Sequence, residues 1–142
     1  MKTSIELAVR AIIINKNKIL LCQLKNSRYY FLPGGHIEFG ETAENSLHRE
    51  LKEEFGAAII DSKVIGLVEN FFISKNIKHH EINLIYYTHL KSIPIKSLEK
   101  HLLIYWLPLT DIKKIHLEPR VLGQAIIVWT KNKKHFHLIE NF

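Results

Sequence analysis

Glu50, Glu53 and Glu54 stand at positions i, i+3 and i+4. On a helix, at about 100° per residue, such a spacing brings three carboxylates out on one face. Like charges so close repel by roughly a few tenths of a kcal/mol per exposed pair, a pattern that a helix selected only for stability avoids. A hard divalent cation turns that repulsion into ligation, because Mg²⁺ and Mn²⁺ take carboxylate oxygens. Arg49 lies four residues before Glu53, within ion-pair reach, and is expected to hold one carboxylate in position. Three glutamates alone are more often a solvated helix face, so the surrounding spacing has to decide.

That spacing runs Gly35, five residues, Glu41, seven residues, Arg49-Glu50-Leu51, one residue, Glu53-Glu54, one residue, Gly56 and Ala57. It resembles the Nudix box, in which Gly, Glu, Arg-Glu, Glu-Glu and Gly recur at these intervals with an aliphatic after Arg-Glu and another at the end. Seven fixed letters at roughly one in fifteen each make a chance match on the order of one in a million. The one departure is Ala57, where a bulkier aliphatic is commoner; it alters packing under the helix and touches no ligand. The resemblance extends more loosely to Phe31-Leu32-Pro33-Gly34-Gly35 and to Trp106-Leu107-Pro108-Leu109-Thr110-Asp111.

The resemblance implies an α/β fold, an α/β/α sandwich with a mixed β-sheet between helices, over a single domain of residues 1–142. It implies hydrolysis of the phosphoanhydride bond of a nucleoside diphosphate linked to another moiety. Carried over by position, Glu50, Glu53 and Glu54 would ligate Mg²⁺ or Mn²⁺, joined by the backbone carbonyl of Gly35. Glu53 would be the base that activates water and Arg49 would orient it. Glu41 would be structural or lie just behind the metal, with Gly34 and Gly56 in structural roles. Glu69 and Glu118 are spare carboxylates, either of which could replace Glu53 as the base. Candidate substrate contacts are His36, beside the glycines, and the aromatics Tyr30 and Phe72, which could stack on a base. The expected partner is a small nucleoside-diphosphate-type molecule, not nucleic acid or a membrane; dimers are common in the family, so the resemblance leaves a homodimer open. Two other readings stay open: a pyrophosphohydrolase acting on RNA 5′ ends, and a non-catalytic binding module on the same fold, although such modules tend to lose the box glutamates kept here.

The elements that must position these residues can be read from pattern. Thr42 as N-cap, Glu44 in the first turn and Gly56 at the end predict a helix over Ala43–Phe55, with Leu47, Leu51 and Phe55 as its docking stripe. Residues 7–14 and Lys18–Leu24 read as strands joined by a turn at Asn15-Lys16-Asn17, predicting a hairpin. Residues 29–32, 59–73 (broken near Gly66), 81–91 and 103–107 read as further strands. Pro119 at a first helical position predicts a closing helix over 121–129. His79-His80 is expected in a loop, and Lys131, Lys133 and Lys134 in a solvated tail.

Charge and composition fit this picture. Six of the fourteen acidic residues fall between Glu38 and Glu54 in a chain of net charge +6, so an acidic site is set in a basic surface that attracts anions. The single cysteine, Cys22, excludes an intrachain disulfide. Charges interrupt the apolar run at the start, unlike a secretory signal, and no window approaches the roughly 18 to 20 apolar residues of a membrane span. A cytoplasmic location is the expectation.

Overall fold

The computed structural model describes all 142 residues, Met1–Phe142. Eight strands, β1 (Lys2–Ile12), β2 (Ile14–Asn15), β3 (Lys18–Leu24), β4 (Gly34–His36), β5 (Ile59–Ser74), β6 (Ile77–Leu90), β7 (Leu102–Pro108) and β8 (Phe136–Glu140), lie between two helices, α1 (Ala43–Phe55) and α2 (Val121–Asn132). They form a mixed five-stranded sheet, β4-β1-β6-β5-β8, and a three-stranded antiparallel sheet, β2-β3-β7. In the larger sheet β1 runs parallel to β6 and β5 parallel to β8, while the other pairs are antiparallel. This is the expected α/β sandwich, with two sheets where one was read.

Strand periodicity builds it. Successive strand residues point to opposite faces, so Leu20 and Cys22 join the core under α1 while Ile19 and Leu21 join the core under α2. Ala11 and Ile12 divide likewise. Trp106 packs against the first core and Trp129 is buried in the second. Leu47 and Leu51 are fully buried and Phe55 nearly so, each contributing about 1.5–3 kcal/mol relative to exposure. No helix is long and apolar enough to cross a membrane.

The expected hairpin forms only at its tip. Lys16 and Asn17 both take positive φ, as a two-residue type I′ turn requires, but only β2 pairs with β3. The chain changes sheets at Ile13, and β1 joins β6 and β4 instead. The closing helix runs three residues past its expected end, and it begins at Val121 with Arg120 as its cap, so Pro119 is not at its first helical position. His79 and His80 lie within β6, opposite Phe72 and Phe71, so the loop expectation is corrected. Their imidazoles stack on those two rings and pair with carboxylates, which satisfies them inside a sheet. β8, the three-residue β4 and a short 3-10 helix at Leu109–Lys114 were not expected.

Candidate active site

The box helix begins and ends where its caps dictate. Thr42 accepts a hydrogen bond from the Asn45 N–H at 3.1 Å, and Gly56 takes φ 66° and donates to the Lys52 carbonyl. This fixes the rotation of α1, so the docked stripe sets the directions of its glutamates. The three box carboxylates are not equivalent. Glu54 is buried, Glu50 is mostly buried and Glu53 is half exposed.

The two glycines before the helix account for the difference. Gly34 and Gly35 form β4, paired with Arg10 and Val9 of β1. Gly34 has φ 141°, and a Cβ there would sit 1.9 Å from the Val9 carbonyl oxygen. A Cβ on Gly35 would sit 2.4 Å from the Glu50 carboxylate. Glycine therefore lets a carboxylate lie against bare backbone. The Gly34 N–H donates to Glu54 Oε1 at 3.2 Å, while Glu54 Oε2 is buried without a partner.

Electrostatics follow burial. Desolvation pushes the Glu54 carboxyl up to about 8, only partly offset by the Gly34 N–H and the Arg10 charge. Burial also raises Glu50, against the pull of Arg49. An orphaned buried oxygen on one carboxylate, a second carboxylate against a glycine and a third open to solvent fit a hard divalent cation, which would satisfy oxygens that otherwise cost free energy. The residues suited to hold it are Glu50, Glu54 and Glu53, with Gly35 against the Glu50 carboxylate.

Arg49 does something different from what its spacing suggests. Its main partner is Glu41, which accepts from Nε at 3.1 Å and from Nη2 at 2.7 Å. Nη1 reaches Glu50 at 3.0 Å and only loosely reaches Glu53, at 3.4 and 3.5 Å; Nη2 also donates to the His36 carbonyl. Arg49 thus ties the loop to the helix, with Glu53 its longest hydrogen-bond partner and Glu38 a looser ion pair at 3.8 Å. The Arg49 bond and the Glu38 backbone hold the Glu41 carboxyl down to about 2. Arg49 thus gives more of its donors to Glu41 and Glu50 than to Glu53, and Glu41 is held between the Arg49 guanidinium and the Glu38 N–H.

Beside this cluster lies a cleft of about 770 Å³, whose lining includes Arg10, Tyr29, Phe31, Asn70, Phe72, Glu81, Glu118 and Phe142. A row of aligned residues runs across four strands, Glu6, Glu81, Asn70 and Glu140, and the last three line the cleft. His36 meets this row, with Nε2 3.3 Å from Glu6 and 3.4 Å from Glu81. The Glu81 bond raises the His36 imidazole's pKa. Phe72 lines the cleft, but Tyr30 does not; it packs edge-on against Tyr105, beside the α2 core, and its neighbours Tyr29 and Phe31 face the cleft. Glu118 sits at the cleft wall, paired with His116. Glu69 is held between His80 and His137, at 2.9 and 2.7 Å. Sequence reading missed Arg10, Glu6, Asn70 and Glu81. The available signal was a charged or polar side chain repeated within otherwise apolar strands.

A profile of the NUDIX domain family matches residues 5–126. An ADP-ribose pyrophosphatase of Methanocaldococcus jannaschii is 50% identical over 52 residues, covering 34% of this chain and 31% of that protein. An 8-oxo-dGTP diphosphatase of Buchnera aphidicola is 34% identical over 68 residues, covering 45% and 52%. The match thus spans 31% of the first of these curated relatives and 52% of the second. Among solved structures, a MutT protein from Methanosarcina mazei superposes with a TM-score of 0.74 at 23% identity, covering 92% of this chain and 99% of that one, a likeness of fold.

Proposed function

Because this chain belongs to the Nudix domain family, we propose that it is a hydrolase that uses Mg²⁺ or Mn²⁺ to cleave the phosphoanhydride bond of a nucleoside diphosphate linked to another moiety. The observation that carries this is the sorting of the three box carboxylates: Glu54 buried with an orphan oxygen, Glu50 against Gly35, Glu53 open to water. Phosphoanhydride hydrolysis needs an in-line water and neutralisation of charge on phosphate oxygens. A divalent ion, when bound, supplies that neutralisation and acidifies a coordinated water. Glu50 and Glu54 are the ligand candidates because burial disfavours their unpaired charge. Glu53 is the base candidate because it alone combines solvent access with a loose partner, leaving it free to take a proton from water. Arg49 and Glu41 keep the loop registered on the helix. The adjacent cleft, with its aromatic wall, is sized for a nucleoside.

The test is turnover over a panel of oxidised nucleoside triphosphates, nucleotide sugars, ADP-ribose and dinucleoside polyphosphates, with Mg²⁺, with Mn²⁺ and with excess EDTA. Hydrolysis should require the metal. Glu53→Gln should lower kcat by about 10²- to 10⁴-fold with little change in KM, while Glu69→Gln and Glu118→Gln stay mild. Loss of kcat in either of the latter, with Glu53→Gln near wild type, moves the base outside the box. No metal-dependent turnover of any compound leaves the binding-module reading.

A further inference from the structure

Arg10 and Arg49 flank the box carboxylates and differ in what their donors do. A guanidinium carries five N–H groups. Arg49 has all three nitrogens committed, to Glu41, Glu50, Glu53 and the His36 carbonyl. It has nothing left for a ligand. Arg10 donates from Nε to Asn83 Oδ1 at 3.4 Å and from Nη1 to the Leu32 carbonyl at 3.2 Å. Both Nη2 hydrogens and one on Nη1 have no partner, and Arg10 forms no salt bridge. The guanidinium lies 5.9 Å from the centre of the Phe31 ring, a cation–π contact.

Position gives those free donors a use. Arg10 lines the cleft. It is also paired across β1 and β4 with Gly34, whose N–H holds Glu54. It therefore stands where the cleft meets the metal cluster. The Arg10 charge is felt by Glu54, Glu50 and Glu81, yet no carboxylate accepts from these three N–H groups, and a planar fork suits phosphate.

We propose that Arg10 is a substrate-positioning residue that grips the phosphoryl group joined to the nucleoside, on the cleft side of the scissile anhydride. This rests on the hydrolase reading. Asn83 and the Leu32 carbonyl aim the fork, the Phe31 ring backs it, and the free Nη hydrogens meet two phosphate oxygens. The leaving phosphate then falls toward the box.

The experiment is calorimetric titration of the full chain with Mg²⁺, using the four common nucleoside 5′-monophosphates and the matching nucleosides. Arg10→Gln should weaken the best monophosphate by about 10- to 100-fold, the range of a charge-assisted hydrogen bond, and leave its nucleoside within about twofold. Arg10→Lys keeps the charge without the fork and should lose about 3- to 10-fold for the monophosphate alone; it carries the test if Arg10→Gln does not fold. The proposal is overturned if either folded variant weakens nucleoside and monophosphate alike, if neither variant weakens the monophosphate, or if no monophosphate binds the wild type better than its nucleoside. Binding that behaves as expected in a protein without turnover would remove the hydrolase reading and leave the phosphate grip standing.

Discussion

Glu54→Gln in metal-free protein separates a ligand from a structural ion-pair member. The folded chain holds the Glu54 carboxyl at about 8 against an ordinary value of 4.5, with burial as the main cause. A group whose pKa rises on folding binds its proton more tightly in the native state. Its favourable contribution is complete below pH 4.5 and is lost as pH climbs through about 8. At about 1.4 kcal/mol per pH unit this bounds the penalty above pH 8 at about 5 kcal/mol. Solvent reaching the open acidic face should reduce it to about 1–3 kcal/mol. Glutamine mimics the neutral acid and carries no such penalty. Urea denaturation in EDTA should therefore give equal stabilities near pH 5 and a variant more stable by that margin at pH 9. Saturating Mg²⁺ should reverse the order at pH 9 by binding only the folded wild type tightly. A variant less stable than wild type at pH 9 in EDTA would refute the reasoning, because the carboxylate would then be stabilising in its ionised form.

Two further outcomes follow from the loop and helix. Gly35→Ala should weaken metal binding by about 10- to 100-fold, because its Cβ falls on the Glu50 carboxylate; unchanged Mn²⁺ affinity in a titration would count against the Glu50 assignment. Glu41→Gln should lower turnover less than Glu53→Gln and raise the mobility of residues 36–42, since it weakens the Arg49 clasp; amide hydrogen exchange in that segment checks it.

The box helix was legible to the residue, because its caps, its apolar stripe and its glutamates all point to the same register. The strands were legible as elements but less so as partners. Nothing in residues 7–14 announces that the chain leaves one sheet for another at Ile13, since both sheets bury the same kinds of side chain. His79 and His80 misled for a related reason: imidazoles that stack on Phe72 and Phe71 and pair with Glu6 and Glu69 are at home in a strand, but the stacking and pairing are tertiary. β4 was hidden because two of its three residues are glycines, which carry no strand signal yet pair well beside a helix. In the site, spacing identified the box carboxylates but could not rank their burial. Arg49's choice of Glu41 over Glu53 depends on how the loop folds back over the helix, which the i, i+4 rule does not describe. The cleft was illegible because its lining is drawn from strands far apart in sequence.

The division of the core between the two helices has an optical consequence. The chain has two tryptophans, and each reports on one half. The Trp106 indole packs on the α1 side and donates to the Pro94 carbonyl at 2.9 Å, in the loop whose Leu98 N–H bonds the carbonyl of Glu54. Its emission is thus tied to the box helix through two hydrogen bonds. Trp129 lies on α2 itself, buried in the second core with the Lys133 ammonium 4.2 Å from its ring centre, and has no such link. With Trp129 replaced by Phe, the remaining fluorescence becomes a built-in gauge of the box-helix half alone.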